Sequence, residues 1–172
     1  PTLDLPASQI FCAMLGNDVI AVANEGGIYT YAWTIDGNPI TQLTKEISID
    51  SGGTYTVTAT DDLTGCETVQ TIVVNESEFP LFEHDDLTIF DLTGDGRNRI
   101  EVLTDTGALG VGDYDFSLDG GNFQDSPIFE DIPPGIHYIS VRDKNGCGIQ
   151  SVAVSVIGYP LYFTPNGNGQ DD

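Results

Sequence analysis

Gly53-Thr54-Tyr55-Thr56-Val57-Thr58-Ala59-Thr60-Asp61, running on to Gly65-Cys66, decides the fold. Its side chains alternate with period two. Tyr55, Val57 and Ala59 point one way, and Thr54, Thr56, Thr58 and Thr60 the other, as in a half-buried strand rich in β-branched residues. The stretch returns, altered, as Gly135-Ile136-His137-Tyr138-Ile139-Ser140-Val141-Arg142-Asp143, running on to Gly146-Cys147. Gly53 to Gly135 is 82 residues, and so is Asp61 to Asp143. An upstream pair, Tyr31-Ala32-Trp33-Thr34-Ile35-Asp36-Gly37 and Tyr114-Asp115-Phe116-Ser117-Leu118-Asp119-Gly120, is offset by 83. Two landmarks at one spacing mean two copies of one module.

Outward from these landmarks, short apolar or alternating runs are separated by turn residues every eight to twelve positions, with no helical period. In the first copy the strands are expected at Ile10–Cys12, Asp18–Ala23, Tyr29–Ile35, Lys45–Ile49, the Gly53 stretch and Thr68–Val74. In the second they are expected near Leu87–Leu92, Arg99–Leu103, Tyr114–Leu118, Asn122–Gln124, Ile128–Glu130, Ile136–Arg142 and Ile149–Ile157. The fold class is therefore all-β: two tandem immunoglobulin-like β-sandwiches, at 1–76 and 86–158, joined by a linker at 77–85. Trp33 shares a face with Tyr31 and Ile35 and is read as a core residue. Tyr55 follows Ser51-Gly52-Gly53, where its hydroxyl can bond back to the turn as a tyrosine corner.

Five basic against 27 acidic residues give a net charge of −22 over 172 residues. Such a surface repels nucleic acid, which excludes that partner class. No apolar run approaches the length of a membrane span. Pro1 starts in linker-like sequence without a signal peptide, so the expectation is an internal piece of a longer chain. Cys12 precedes the first core strands and Cys66 follows the Gly53 strand. In a sandwich those ends can meet, and a Cys12–Cys66 disulfide is expected, stabilising by roughly 4 kcal/mol in the chain-entropy treatment. A disulfide implies an oxidising compartment and hence export. Cys147 is then left as a free thiol or paired outside the chain.

After Gly158 the pattern changes to one short aromatic strand and an Asn/Gly/Asp turn. Val156-Ile157-Gly158-Tyr159-Pro160-Leu161-Tyr162-Phe163-Thr164-Pro165-Asn166-Gly167-Asn168-Gly169-Gln170-Asp171-Asp172 resembles the start of the gliding-motility-associated C-terminal domain, the type B sorting domain of type IX secretion cargo in Bacteroidota. The family usually has Asp where Asn168 stands. Tyr114–Gln124 and Val141–Cys147 resemble the repeats that precede that domain, and the first module is similar to PKD-like and immunoglobulin-like repeats of the same surface proteins. The resemblance implies that 159–172 opens a truncated sorting domain, marked by Tyr159, Pro160, Phe163, Thr164, Pro165, Asn166 and Gly167. It also implies a type IX translocon as partner of the parent chain and a place at the cell surface, outside the outer membrane.

Candidate chemistry is sparse. Asp50-Ser51-Gly52-Gly53 resembles the nucleophile loop of chymotrypsin-like proteases, but both histidines, His84 and His137, come after the serine instead of before it. A nucleophile needs a base within hydrogen-bond reach. Ser51 is therefore read as a turn residue and the chain as no enzyme, with no cofactor. Asp91-Leu92-Thr93-Gly94-Asp95-Gly96 matches an EF-hand loop at three positions but lacks flanking helices. Asp91, Asp95 and Glu101 stay as a candidate calcium set, and Asn166, Asn168, Asp171 and Asp172 form a second oxygen-rich turn. The function expected is a non-catalytic stalk or adhesive segment of an exported surface protein, with a surface glycan or protein as its ligand. The alternative is a carbohydrate-binding accessory module of a secreted enzyme, using exposed aromatics such as Tyr29 or Phe123.

Overall fold

A computed structural model describes residues 2–23, 26–91 and 97–158. All of its regular structure is strand apart from two single-turn 3-10 segments, Ala13–Leu15 and His84–Asp86. The chain divides into two compact units. Unit 1 comprises Pro1–Phe79 with the short stretches Val111–Asp113 and Asn145–Cys147. Unit 2 comprises Pro80–Gly110, Tyr114–Lys144 and Gly148–Asp172.

Unit 1 contains β1 (Ser8–Cys12), β2 (Asp18–Ala21), β3 (Tyr29–Ile35), β4 (Asn38–Pro39), β5 (Glu46–Ile49), β6 (Gly53–Asp61) and β7 (Glu67–Ser77). One sheet runs β1-β7-β6-β3-β4 and the other is the pair β2-β5. All pairings are antiparallel except β1 with β7, which is parallel. The alternation seen in β6 is realised. Tyr55, Val57 and Ala59 are buried while the threonines face outward, partly or fully exposed. Trp33 from β3, Val57 from β6, Ile72 from β7, Ile20 from β2 and Ile47 from β5 meet in one core between the two sheets. The Trp33 indole N–H donates to the carbonyl of Thr44 at 2.9 Å, so its one polar group is satisfied inside.

Unit 2 contains β8 (Leu87–Phe90), β9 (Asn98–Val102), β10 (Tyr114–Leu118), β11 (Ile128–Ile132), β12 (Gly135–Asp143) and β13 (Ile149–Val156). Its sheets are β10-β12-β13 and β11-β9-β8, again enclosing one core, in which Phe82, Ile100, Phe116, Ile139 and Val154 are buried. Phe82 and Pro80 lie in the stretch expected as linker, yet both are buried, and Phe82 is fully so. The strand expected at Asn122–Gln124 is a single bridge, Gln124 to Phe116.

The two copies pair their repeated strands differently. In unit 1 Ile35 stands opposite Tyr55. In unit 2 Leu118, the counterpart of Ile35, stands opposite Ile139 and not opposite His137, the counterpart of Tyr55. The slip is two residues, the smallest that keeps every side chain on its own face.

The expected Cys12–Cys66 bond is overturned. Cys12 bonds to Cys147, with Cα atoms 5.4 Å apart, and Cys66 is an exposed free thiol. The parallel direction of β1 explains it. Cys12 lies beside Ser77, at the C-terminal end of β7, whereas Cys66 immediately precedes Glu67 at the other end. Eleven residues of strand separate those ends, roughly 35 Å at about 3.3 Å per residue.

Candidate functional site

Each copy turns from its tryptophan- or phenylalanine-bearing strand through Asp-Gly. Asp36 and Gly37 have φ of 48° and 80°, and Asp119 and Gly120 of 51° and 70°, a left-handed pair suited to a tight hairpin. In unit 1 the Asp36 carboxylate accepts the backbone N–H of Thr54 at 2.9 Å. In unit 2 the Asp119 carboxylate does the same for Tyr138 at 2.8 Å, and its other oxygen meets His137 Nδ1 at 2.8 Å.

His137 is the buried imidazole of the described structure, 8% exposed, whereas His84 is exposed. Its Nε2 lies 2.8 Å from the carbonyl of Pro133. Both ring nitrogens thus face acceptors, and only the imidazolium can donate to both. The hydrogen bond that His137 donates to Asp119 raises the His137 pKa above its ordinary value against the opposing effect of burial. His137 in turn, with the Tyr138 N–H, holds the Asp119 carboxyl below its ordinary range. The pair is a clasp: it holds the entry of β12 onto the β10 turn and leaves neither ring nitrogen available as a base.

Toward the other end of β12, the Arg142 guanidinium grips Asp115 through two hydrogen bonds of 3.0 and 2.5 Å and lies 4.0 Å over the Phe123 ring. Lys144 pairs with Asp125 at 2.7 Å. The sequence reading missed these contacts. The repeated Asp-Gly turn was their visible signal, but what each Asp captures depends on register.

Of the residues singled out from sequence, Ser51 donates to Asp50 at 3.4 Å and its carbonyl accepts the Tyr55 hydroxyl at 3.0 Å. His84 is exposed in a 3-10 turn. Asp91 accepts the backbone N–H of Ile157 at 3.0 Å, and Glu101 is paired with Arg99 at 2.9 Å. Asp95 lies outside the described residues, as do Tyr159, Pro160, Phe163, Thr164, Pro165, Asn166 and Gly167. Among the described residues no three His, Cys, Asp or Glu side chains converge as a metal set. Tyr29 bonds Gly26 through its hydroxyl and Phe123 is covered on one side by Arg142. A cleft of about 410 Å³ in unit 1 is lined by Ile35, Pro39, Gln42, Ser48, Asp50 and Tyr55 among others, with no histidine or cysteine in it.

No family model and no curated protein sequence matches the chain. Among solved structures it is similar to three N-terminal domains of the bacteriophage RB49 highly immunogenic outer capsid protein. The identity is 15%, 91% of this chain and 59% of that one are covered, and the TM-score is 0.44. It is also similar to the fibronectin(III)-like modules of Clostridium thermocellum CbhA, with 18% identity, 97% and 99% coverage and a TM-score of 0.38. A third is the I67–I69 fragment of titin, with 13% identity, 91% and 65% coverage and a TM-score of 0.44. The chain thus spans less than two thirds of the length of the capsid-protein and titin fragments. The class is all-β, two units that each pack a pair of sheets around a core of their own.

Proposed function

We propose that the chain is a non-catalytic, load-bearing or adhesive segment of an exported cell-surface protein. The observation that carries this reading is the Cys12–Cys147 disulfide, which closes a loop of 135 residues and needs an oxidising compartment to persist. The polar clusters support it. Asp119 with His137, Asp115 with Arg142, and Ser51 with Tyr55 are each occupied in holding a turn or a strand. No helix among the described residues is long and apolar enough to cross a membrane.

Within this reading the modules are 1–76 and 86–158, residues 159–172 open a type B sorting domain, and the parent chain leaves through the type IX translocon. The support for the export route is the resemblance of the Tyr159–Asp172 stretch. Surface proteolysis of cells producing the parent protein, with and without a working translocon, tests it. The modules should be accessible only in the competent strain, and equal accessibility in both would overturn the route. A calcium ion at Asp91, Asp95 and Glu101 would be a stabilising element of the second module. A thermal melt with and without calcium tests that site, and an unchanged melting temperature would dispose of it. The carbohydrate-binding alternative gains nothing from Tyr29 and Phe123, which are both half-buried and held by neighbours.

A further inference from the structure

In unit 1 the outer edge of β7 is occupied. β1 runs along it in parallel, from Ser8 opposite Val73 to Cys12 opposite Ser77. In unit 2 the counterpart strand, β13, has β12 on one side and, among the described residues, no strand on the other, with the His84–Asp86 turn lying against it. The first strand of that unit, β8, pairs with β9 instead. Just beyond β13, the Ile157 N–H is taken by the Asp91 carboxylate.

Edge strands are normally blunted by charge, proline, a bulge or brevity. β13 shows none of these. It is eight residues long, its register with β12 is unbroken from Val156 to Ile149, and it contains no charged residue and no proline. This neutrality stands out in a chain with 27 acidic residues.

The edge also reads almost identically in both directions. In Ile149-Gln150-Ser151-Val152-Ala153-Val154-Ser155-Val156-Ile157 only Gln150 and Val156 break the symmetry about Ala153. An interface between identical chains about a two-fold axis must be self-complementary. Laid antiparallel on its own copy with the axis at Ala153, this strand sets Ser151 opposite Ser155, Val152 opposite Val154 and Ile149 opposite Ile157 of the second copy. The faces agree. Ser151, Ala153 and Ser155 are exposed on the outward side, while Val154 and Val156 are buried. Ile149 and Ile157, 52% and 57% exposed, would cover each other at both ends.

We propose that β13 is a self-association edge, through which two copies of this chain join their three-stranded sheets into one of six strands. Two chains of net charge −22 repel each other, and a strand with no charged residue of its own adds no opposing carboxylates along its length. One strand pair is a small interface, below about 1,200 Å², of the transient class. The proposal is independent of the export route and stands or falls separately from it.

Sedimentation velocity on the 172-residue chain tests it, in a Cys66→Ser background so that thiol oxidation cannot imitate association. We expect a reversible dimer at concentrations up to about 1 mM, strengthened by added salt as the mutual repulsion is screened. The double substitution Ser151→Glu with Ser155→Glu should abolish it. Ser151→Lys with Ser155→Glu should restore it, because each introduced lysine then faces an introduced glutamate of the second copy. Within one strand the two positions are about 13 Å apart, too far to pair. Both variants lose the 2.8 Å Ser140–Ser151 hydroxyl contact equally. Ala153→Lys, which sets two like charges on the axis, is a second disrupting variant should the glutamate pair fold poorly. A wild-type chain that stays monomeric throughout, or a dimer indifferent to these charges, would overturn the proposal.

Discussion

His137 and Tyr55 perform the same act with different chemistry. The His137 Nε2–H reaches the carbonyl of Pro133 at 2.8 Å, and the Tyr55 hydroxyl reaches that of Ser51 at 3.0 Å. In each case the partner lies four residues back, and the two pairs are 82 residues apart in sequence. The difference is that the histidine faces a second acceptor, Asp119, and donates to both only as a charged imidazolium.

That difference makes the second module's stability depend on pH. The folded pKa of His137 is raised, so its contribution is complete below the unfolded value of 6.5 and is lost as pH rises through the folded one. The folded pKa of Asp119 is lowered, so its contribution is complete above the unfolded value of 3.8 and is lost as pH falls through the folded one. The clasp is therefore strongest between about pH 4 and 6.5. The melting temperature of His137→Gln should fall furthest below wild type near pH 5.5, with the gap narrowing by pH 9. A gap of constant size would show that the imidazolium is not what holds the turn.

Tyr55→Phe removes one hydrogen bond and leaves the Ser51 carbonyl short of a partner. Denaturant unfolding should show a loss of about 1–2 kcal/mol. Trp33→Ala opens a cavity in the same core, Trp33 being 1% exposed, and should cost about 3–5 kcal/mol. An equal loss from the two would contradict the placement of Trp33.

Reduction, or Cys12→Ser with Cys147→Ser, removes the link across 135 residues. The loss expected from loop closure is about 4–5 kcal/mol. Cys66→Ser, at an exposed thiol, should change stability by no more than about 0.5 kcal/mol. Thiol titration of the native chain should count one reactive cysteine, and peptide mapping should find Cys12 joined to Cys147.

Gly53 and Gly135 open the two repeated strands, both at φ of 150°. Alanine at either is strained by roughly 1–3 kcal/mol. At Gly53 an added Cβ would also meet Asp36 Oδ2 at 3.1 Å and Ile35 Cγ1 at 3.2 Å, whereas at Gly135 the nearest atom is His137 Nε2 at 3.8 Å. Gly53→Ala should therefore destabilise more than Gly135→Ala, as read by their chemical-denaturation midpoints.

Much of this architecture was legible in the residues. Period-two alternation places Tyr55, Val57 and Ala59 inside because a pleated strand offers its faces in turn. The position of Tyr55 after a glycine turn announced its bond to Ser51. The Asp119–His137 clasp was not legible, because nothing local to either residue specifies their register. Asp91 and Glu101 were read as candidate cation ligands from a partial loop pattern; that Asp91 accepts the Ile157 N–H was not legible, because only folding brings those two positions together.

The sequence by itself determined two β-rich modules, their strands and their buried faces, because these follow from neighbours along one chain. Tertiary structure alone decided which cysteines bond, the two-residue slip between copies, and that among the described residues β7 gains a parallel neighbour strand while β13 does not. Those outcomes depend on the direction in which distant strands run beside each other. A period-two pattern reads the same whether its partner is parallel, antiparallel or moved by two residues.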